Sequence, residues 1–319
     1  MRFFGAAEID KAFAYPELVE TLREAFRADI SMPNRHHHTI RRPGADATFI
    51  LMPAWHEKAQ GGFIGTKIVS VFPDNQSRRK PSVMGTYLLL AGETGEPLAA
   101  FDGQSLTLRR TAAASALAAT YLARRDARVM AMIGAGALAP HLIAAHAAVS
   151  PIDEVVIWNR TSATAIELAM RLNRPGLAVR ASEDLAAAVA SADIVSAATM
   201  TATPLIRGAW LKPGVHVDLV GAYTPRMREA DDDAIRRARV FVDTRAGALR
   251  EAGDIVQPIA SGVLAEGDIA GDLFDLARGK VAGRPSGSNE AITLFKSVGS
   301  AIEDLAAAVL VYSRRVGAD

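Results

Sequence analysis

Along this chain, short apolar runs bounded by glycine, proline and asparagine alternate with stretches whose apolar residues recur at helical spacing. Residues 7–30 mix apolar and charged positions in the helical pattern and predict one or two amphipathic helices. A polar, turn-like stretch follows, MPNRHHHTIRRPG. Four strand candidates come next, ATFILMPAW, GFIGTKIVSVFP, PSVMGTYLLLAG and EPLAAFDG, separated by turn residues. Short connections between successive strands favour a mostly antiparallel sheet, so this first region reads as α+β. Residues 105–125, SLTLRRTAAASALAATYLARR, predict a helix leading into the buried strand VMAMI. The strand–helix pulses after it are VVIWN with ATAIELAMRL, LAVRA with EDLAAAVASA, then DIVSAAT, HVDLVGA and RVFVDT. That alternation predicts a doubly wound parallel sheet, a Rossmann-type α/β fold. From Asn289 to about Val311 the pattern reads as one long amphipathic helix containing Glu303 and Asp304. The domain assignment is then 1–122, completed by a C-terminal helix at 289–319, around a Rossmann domain at 123–288.

Composition narrows the function classes. The 319 residues are 50% hydrophobic and 22% charged, with a formal net charge of +1. That balance fits a globular protein and offers no global field for nucleic acid or an acidic membrane. The chain contains no cysteine, which removes disulfides, thiolate metal sites and cysteine nucleophiles. Glu8, Asp10 and Lys11 interrupt the apolar N-terminus before a signal segment forms. The Ala-rich segment from Thr111 stops at Arg124, short of the ~18–20 residues that span a bilayer. A cytoplasmic protein is expected.

The stretch Val129–Ala139 reads as strand, tight glycine turn and helix start. Gly134, Gly136 and Ala139 follow the G-x-G-x-x-G/A spacing of a dinucleotide site: the first glycine permits the turn, the second lets backbone approach a pyrophosphate, and the small third residue allows close packing. Gly136, Ala137 and Leu138 then lie where a helix N-terminus favours phosphate. A structural Ala/Gly turn is the alternative. After the second strand comes Trp158-Asn159-Arg160-Thr161, with no acid to hydrogen-bond a ribose 2′-hydroxyl. An acid would repel a 2′-phosphate and an arginine can pair with it. NADPH is therefore the preferred cofactor, with NADH a possible one. Thr199, Val220 and Gly221, at the ends of later strand candidates, complete the cofactor-binding set.

Several motifs agree in order beyond this turn: GTKIVSVFP, LTLRRTAAASALA, MIGAGALA, VVIWNRT, VDLVGAYTPRMREAD and TLFKSVGSAIEDLAAA. Together they resemble the ornithine cyclodeaminase/mu-crystallin family across nearly the whole chain. The resemblance implies a homodimer whose subunits pair a substrate domain with a Rossmann domain, the active site lying in the cleft between them. It places Lys67 in the substrate pocket; a charge in the middle of a strand is otherwise costly unless the side chain snorkels to water. It makes Arg110 the ligand of the substrate carboxylate and brings Thr111 to cofactor phosphate. Arg35 is the candidate second carboxylate ligand, with Arg41 and Arg42 competing. Two carboxylates expected in a cyclodeaminase are replaced here by Tyr223 and Ile50, and deaminative cyclisation needs such acids more than imine reduction does. The expectation is thus NAD(P)H-dependent reduction of a cyclic imino acid, Δ1-pyrroline-2-carboxylate or its six-membered analogue, with Lys67 or an ordered water as proton donor. The alternatives are ornithine cyclodeaminase, an alanine dehydrogenase-type enzyme, and a mu-crystallin-like NADPH-dependent binding protein.

Other features are weaker. His36, His37 and His38 alternate faces if extended and cannot all reach one ion. His56-Glu57 lacks the second histidine of a zincin helix. No metal site is expected. Asp231 to Asp233 read as a helix start. Lys296 and Ser297 are compatible with either the active-site cleft or helix packing.

Overall fold

A computed structural model describes residues 1–57, 62–285, 287 and 289–316. The chain divides into two compact units. One is residues 1–111 with 300–319, and the other is residues 112–299. The expected terminal helix extends to residues 317–319, which lie outside the described residues.

Among the described residues the first unit carries seven strands: β1 (Arg2–Phe4), β2 (Ile30–Ser31), β3 (His36–Ile40), β4 (Ala47–His56), β5 (Phe63–Val71), β6 (Val83–Ala91) and β7 (Pro97–Asp102). Their order is β1-β7-β6-β5-β4-β2, with β3 also on β4, and every pairing is antiparallel except β1 with β7. Two helices precede the main strands, α1 (Ala6–Ala12) and α2 (Tyr15–Arg27). The long helix α3 (Gly103–Leu122) follows them, and the boundary between units falls inside it. The apolar positions Leu18, Val19, Leu22 and Phe26 of α2 are buried, as the helical spacing requires. On the sheet side, Phe101 stacks on Phe4 with ring centroids 4.9 Å apart.

The stretch expected to be turn-like contains a strand. His36–Ile40 pairs antiparallel with Ala47–Leu51 of β4. The three histidine side chains are all exposed, so polarity conceals the strand; what orders it is backbone hydrogen bonding to β4.

The second unit is a parallel sheet of eight strands: β8 (Val129–Ile133), β9 (Glu154–Trp158), β10 (Ala178–Ala181), β11 (Ile194–Ala197), β12 (His216–Leu219), β13 (Ala238–Val242), β14 (Gly271–Asp272) and β15 (Ile292–Lys296). The order β10-β9-β8-β11-β12-β15-β13-β14 is that of a doubly wound sheet, with chain order reversing beside β8. Helices α4 (Ala139–Val149), α5 (Ser162–Leu172) and α6 (Leu185–Ser191) connect its first strands, and α7 (Asp232–Arg237), α8 (Arg245–Glu251), α9 (Gly253–Ala260) and α10 (Leu273–Ala277) lie among the later ones. Strands buried on both faces read as continuous apolar runs, and Ile133, Val195, Val217, Leu219, Val242 and Leu294 belong to one buried cluster. Among the described residues, no helix is long and apolar enough to cross a membrane.

The C-terminal helix begins later than the sequence pattern suggests. Residues 292–296 form β15, wholly buried between β12 and β13. Gly299 then turns the chain at φ +80°, and the N–H groups of Val298 and Gly299 both donate to Asp243 Oδ2 at 2.7 Å. Only at Ala301 does α11 (Ala301–Val316) start. A short apolar run such as ITLF fits a buried strand and a buried helix equally well by periodicity. Helix α11 packs on α2 and across β4, β5 and β6.

Candidate functional site

In the second unit, Gly134 follows β8 at φ +104°, and a Cβ there would meet the carbonyl oxygen of Ala198 at 2.8 Å. Only glycine tolerates both constraints. Its N–H donates to the Trp158 carbonyl at 2.8 Å, and the N–H of Ala135 reaches Asn159 Oδ1 at 3.3 Å. Those bonds tie the turn to the end of β9. Gly136 and Ala137 are exposed, and among the described residues the N–H groups of Gly136, Ala137 and Leu138 find no hydrogen-bond acceptor. Helix α4, eleven residues long, starts at Ala139. Unpaired N–H groups at the start of a helix suit a pyrophosphate, so the residues present fit a dinucleotide. Beside the turn, Asn159 Nδ2 donates to the Thr161 carbonyl, and Thr161 is the N-cap of α5. Arg160 is exposed and has no ion-pair partner among the described residues.

Thr199 and Gly221 follow β11 and β12, and both are held by Glu229. Its Oε1 accepts from the N–H and Oγ1 of Thr199, and its Oε2 from the N–H of Gly221, all at 2.7 Å. A Cβ on Gly221 would lie 1.9 Å from the Thr199 carbonyl oxygen. Val220 is buried between them in sequence. Asp254 accepts the N–H groups of Glu229 and Ala230, and Lys296 Nζ lies 3.3 Å from Asp254 Oδ2 and 3.9 Å from Glu229 Oε2. All three charged side chains are wholly buried. Burial pushes the Glu229 carboxyl up to about 7, with Lys296 opposing and Asp254 adding to the rise. Lys296 is thus a buried partner of two carboxylates, and Ser297 beside it is buried too. Asp231 caps α7, accepting the N–H of Ala234. Tyr223 is exposed, its hydroxyl 4.0 Å from Met200 Sδ.

The first unit gathers a second group of charges. Lys67 lies in the middle of β5, opposite Met52 and Tyr87, and is 4% exposed. Its Nζ donates to Asp304 Oδ1 at 3.1 Å, lies 2.8 Å from Asp304 Oδ2, and reaches Thr107 Oγ1 at 3.4 Å. Arg110 comes three residues after Thr107, one turn on along α3. Its Nε donates to Asp304 Oδ1 at 2.8 Å and its Nη1 to Glu303 Oε2 at 2.7 Å, which leaves Nη2 outside these bonds. Ser300 Oγ donates to Glu303 Oε1 at 2.7 Å. Two cations thus face two carboxylates in a buried, charge-balanced cluster.

Burial lowers the Lys67 ammonium to about 8, assisted by the charges of Arg110 and Arg35 and opposed by Asp304. Burial alone would raise Asp304, but Arg110 and Lys67 hold it below the usual carboxylate range. Burial would likewise lower Arg110, but Asp304 and Glu303 hold it protonated. Among the described residues the buried Tyr87 hydroxyl has no hydrogen-bond partner, and burial with the charge of Asp304 pushes it well up. Arg35 is half-buried just before β3, and its charge is felt at Lys67. Arg41 and Arg42 are exposed, and Arg42 lies over the Phe72 ring. Thr111, next to Arg110, is buried, and Ile50 is half-buried opposite Val69. Among the described residues no group of three or more histidine and acidic side chains could hold a metal.

Glu303 and Asp304 are the functional candidates that sequence reasoning passed over. Acids in the first turn of a helix have a sufficient local explanation in the helix dipole. The missed signal is their setting: an acidic pair flanked by AI and LAAA must be buried, and buried acids need partners. Their presence also weakens the case against cyclisation drawn from Tyr223 and Ile50, because the unit has carboxylates at other positions.

The glycine turn on an eight-stranded parallel sheet, with an α+β unit carrying a buried cationic cluster, defines a dinucleotide-binding α/β class with a second domain. Within that class, the model of the ornithine cyclodeaminase/mu-crystallin family matches residues 3–319, and the chain belongs to that family. It is 40% identical over 305 residues to a Δ1-pyrroline-2-carboxylate reductase of Paracoccus denitrificans, covering 95% of this chain and 94% of that one. The structure of Thermococcus litoralis Δ1-pyrroline-2-carboxylate reductase in complex with NADH and L-proline superposes with a TM-score of 0.91 at 31% identity, covering 100% of this chain and 98% of that one. An archaeal alanine dehydrogenase dimer with bound NAD superposes at 0.90 with 28% identity, covering 100% and 97%.

Proposed function

We propose that the protein is an NAD(P)H-dependent reductase of a cyclic imino acid, Δ1-pyrroline-2-carboxylate or Δ1-piperideine-2-carboxylate, giving L-proline or L-pipecolate. The observation that carries this reading is the buried Lys67 ammonium, poised at about 8 beside Arg110. An acid in that range can protonate an imine nitrogen near neutral pH. Arg110, through Nη2, and Arg35 bind the substrate carboxylate by charge-assisted hydrogen bonds and fix its orientation. Lys67 protonates the ring nitrogen. Gly136, Ala137 and Leu138 hold the dinucleotide phosphates, Asn159 and Thr161 shape the adjoining loop, and Thr111, Thr199, Val220 and Gly221 complete the cofactor contacts. A bound nicotinamide supplies the hydride. Arg160 pairs with a 2′-phosphate, so NADPH is preferred to NADH. The reductases and dehydrogenase above, with their NADH, NAD and L-proline, support the substrate class and the use of a nicotinamide. The chain acts as a homodimer, a reading supported by the dimeric archaeal relative and by the exposed apolar residues Phe3, Val83 and Met84 of the first unit.

The test is a set of initial-rate assays with NADPH and with NADH on both imines, with ornithine plus NAD as control. Oxidation of NADPH with an imine, faster than that of NADH, is expected. Ammonia released from ornithine without activity on either imine would favour a cyclodeaminase, and binding without any turnover a mu-crystallin-like protein.

A further inference from the structure

We propose that Asp304 is a positioning residue for this reduction: it grips the Lys67 ammonium and Arg110 with one carboxylate, so that Lys67 meets the substrate protonated and correctly aimed. The proposal rests on the reductase reading and goes beyond it by naming what sets the state of the proton donor.

Glu303 is engaged by Ser300 and Arg110. Asp304 touches both cations, with Oδ1 shared between Lys67 Nζ and Arg110 Nε and Oδ2 against Lys67. Shared in this way, the two cations cannot drift apart. Asp304 and Thr107 use two of the three ammonium hydrogens of Lys67 and leave one for a substrate atom. The charged and titratable groups around Lys67 are Arg110 on α3, Glu303 and Asp304 on α11, Arg35 before β3, and Tyr87 on β6. Without Asp304, Lys67 would keep its burial and the repulsion of Arg110 and Arg35 and would lose the carboxylate bonded to it. Its proton would then leave at lower pH.

The step balances. An Nζ–H bond of Lys67 breaks as an N–H bond forms on the ring nitrogen, a hydride adds to C2, and the C=N π pair becomes the nitrogen lone pair that takes the proton. The nicotinamide is oxidised, and Lys67 regains a proton from solvent.

The experiment compares kcat against pH for the wild type and Asp304→Asn, together with the ε-carbon NMR titration of Lys67 assigned through Lys67→Met. In the wild type kcat is expected to fall above about pH 8. In the variant the alkaline limb should move down by about one pH unit or more, and the Lys67 resonance should titrate with it, while the dinucleotide Kd stays unchanged. A limb and a resonance that do not move would overturn the proposal. If the wild type reduces no imine, the reductase reading fails, and the NMR titration still decides whether Asp304 governs Lys67. If the asparagine variant does not fold, Asp304→Glu carries the test. A limb kept near its wild-type position with lowered kcat supports positioning through the shared carboxylate, and an unchanged kcat overturns it.

Discussion

Lys67 occupies a site where an isolated ammonium would be expensive: mid-strand, almost fully buried, and next to a guanidinium. A position like that persists in a chain when the charge is used. Replacing Lys67 by alanine should lower kcat by about 100-fold or more, the range of a lost general acid, with NADPH affinity retained. Turnover near the wild-type value would remove Lys67 from the reaction. Among the described residues Arg160 has no ion pair to lose, so Arg160→Ala should act on the cofactor alone. It should raise the KM for NADPH by about tenfold and leave that for NADH in place, the size of one charge-assisted contact. Equal effects on both cofactors would deny it a role at the 2′-phosphate. Lys67 and Arg110 were candidates in the sequence through the resembling motifs GTKIVSVFP and LTLRRTAAASALA, and the mid-strand charge of Lys67 pointed the same way. Asp304 was not, because an acid at the start of a helix needs no tertiary partner to account for it.

At the scale of elements, the strands of both sheets could be read from their apolar runs, and the glycine turn from its spacing together with the strand before it and the strand after it. The two- and three-residue strands β1, β2 and β14 could not, nor could two longer stretches. HHHTI became a strand through backbone pairing with β4, and ITLFK became β15 because its place lies between β12 and β13; neither cause is local. That strand ends in Lys296, whose burial with Asp254 and Glu229 stiffens the loops after β11 and β12. If those loops hold the nicotinamide end of the cofactor, the carboxylate of Glu229 is their tether. Glu229→Gln can still accept at one oxygen but sets an amide against the N–H of Gly221 or of Thr199. Dinucleotide Kd, followed by fluorescence of the reduced cofactor, should rise about tenfold with the fold intact by circular dichroism. An unchanged Kd would show that these loops do not depend on the tether.

Across the whole molecule, buried ionisable groups couple stability to pH with opposing signs: Glu229, raised from 4.5 to about 7, lets the folded chain hold a proton that the unfolded one has released between those values, so its contribution grows as pH falls from 7 to 4.5. His216 is wholly buried, its Nδ1 3.0 Å from Thr293 Oγ1, and burial lowers it from 6.5 to about 3. The unfolded chain therefore binds a proton that the folded one refuses between about pH 6.5 and 3, and stability falls as pH falls through that window. At about 1.4 kcal/mol per unit, His216 alone should cost on the order of 3 kcal/mol by pH 4.5. Asp218 works in the same direction. Burial would raise its carboxyl, but bonds from His146 and Ser196 hold it low, and Ser115 also donates to it. A carboxylate with a lowered folded-state pKa contributes stability above its unfolded value, and that contribution is lost at lower pH still. Between pH 7 and 4.5 the loss at His216 and the gain at Glu229 oppose each other, so the readout is how the pH slope of the unfolding midpoint changes when His216 is replaced. His216→Gln removes a titrating group while keeping a side chain able to bond Thr293, so on going from pH 7 to 4.5 the variant's midpoint should fall less, or rise more, than that of the wild type, even if it is lower at pH 7. Parallel slopes in the variant and the wild type would mean that acid acts elsewhere, and that the histidine takes up its proton without unfolding the sheet around it.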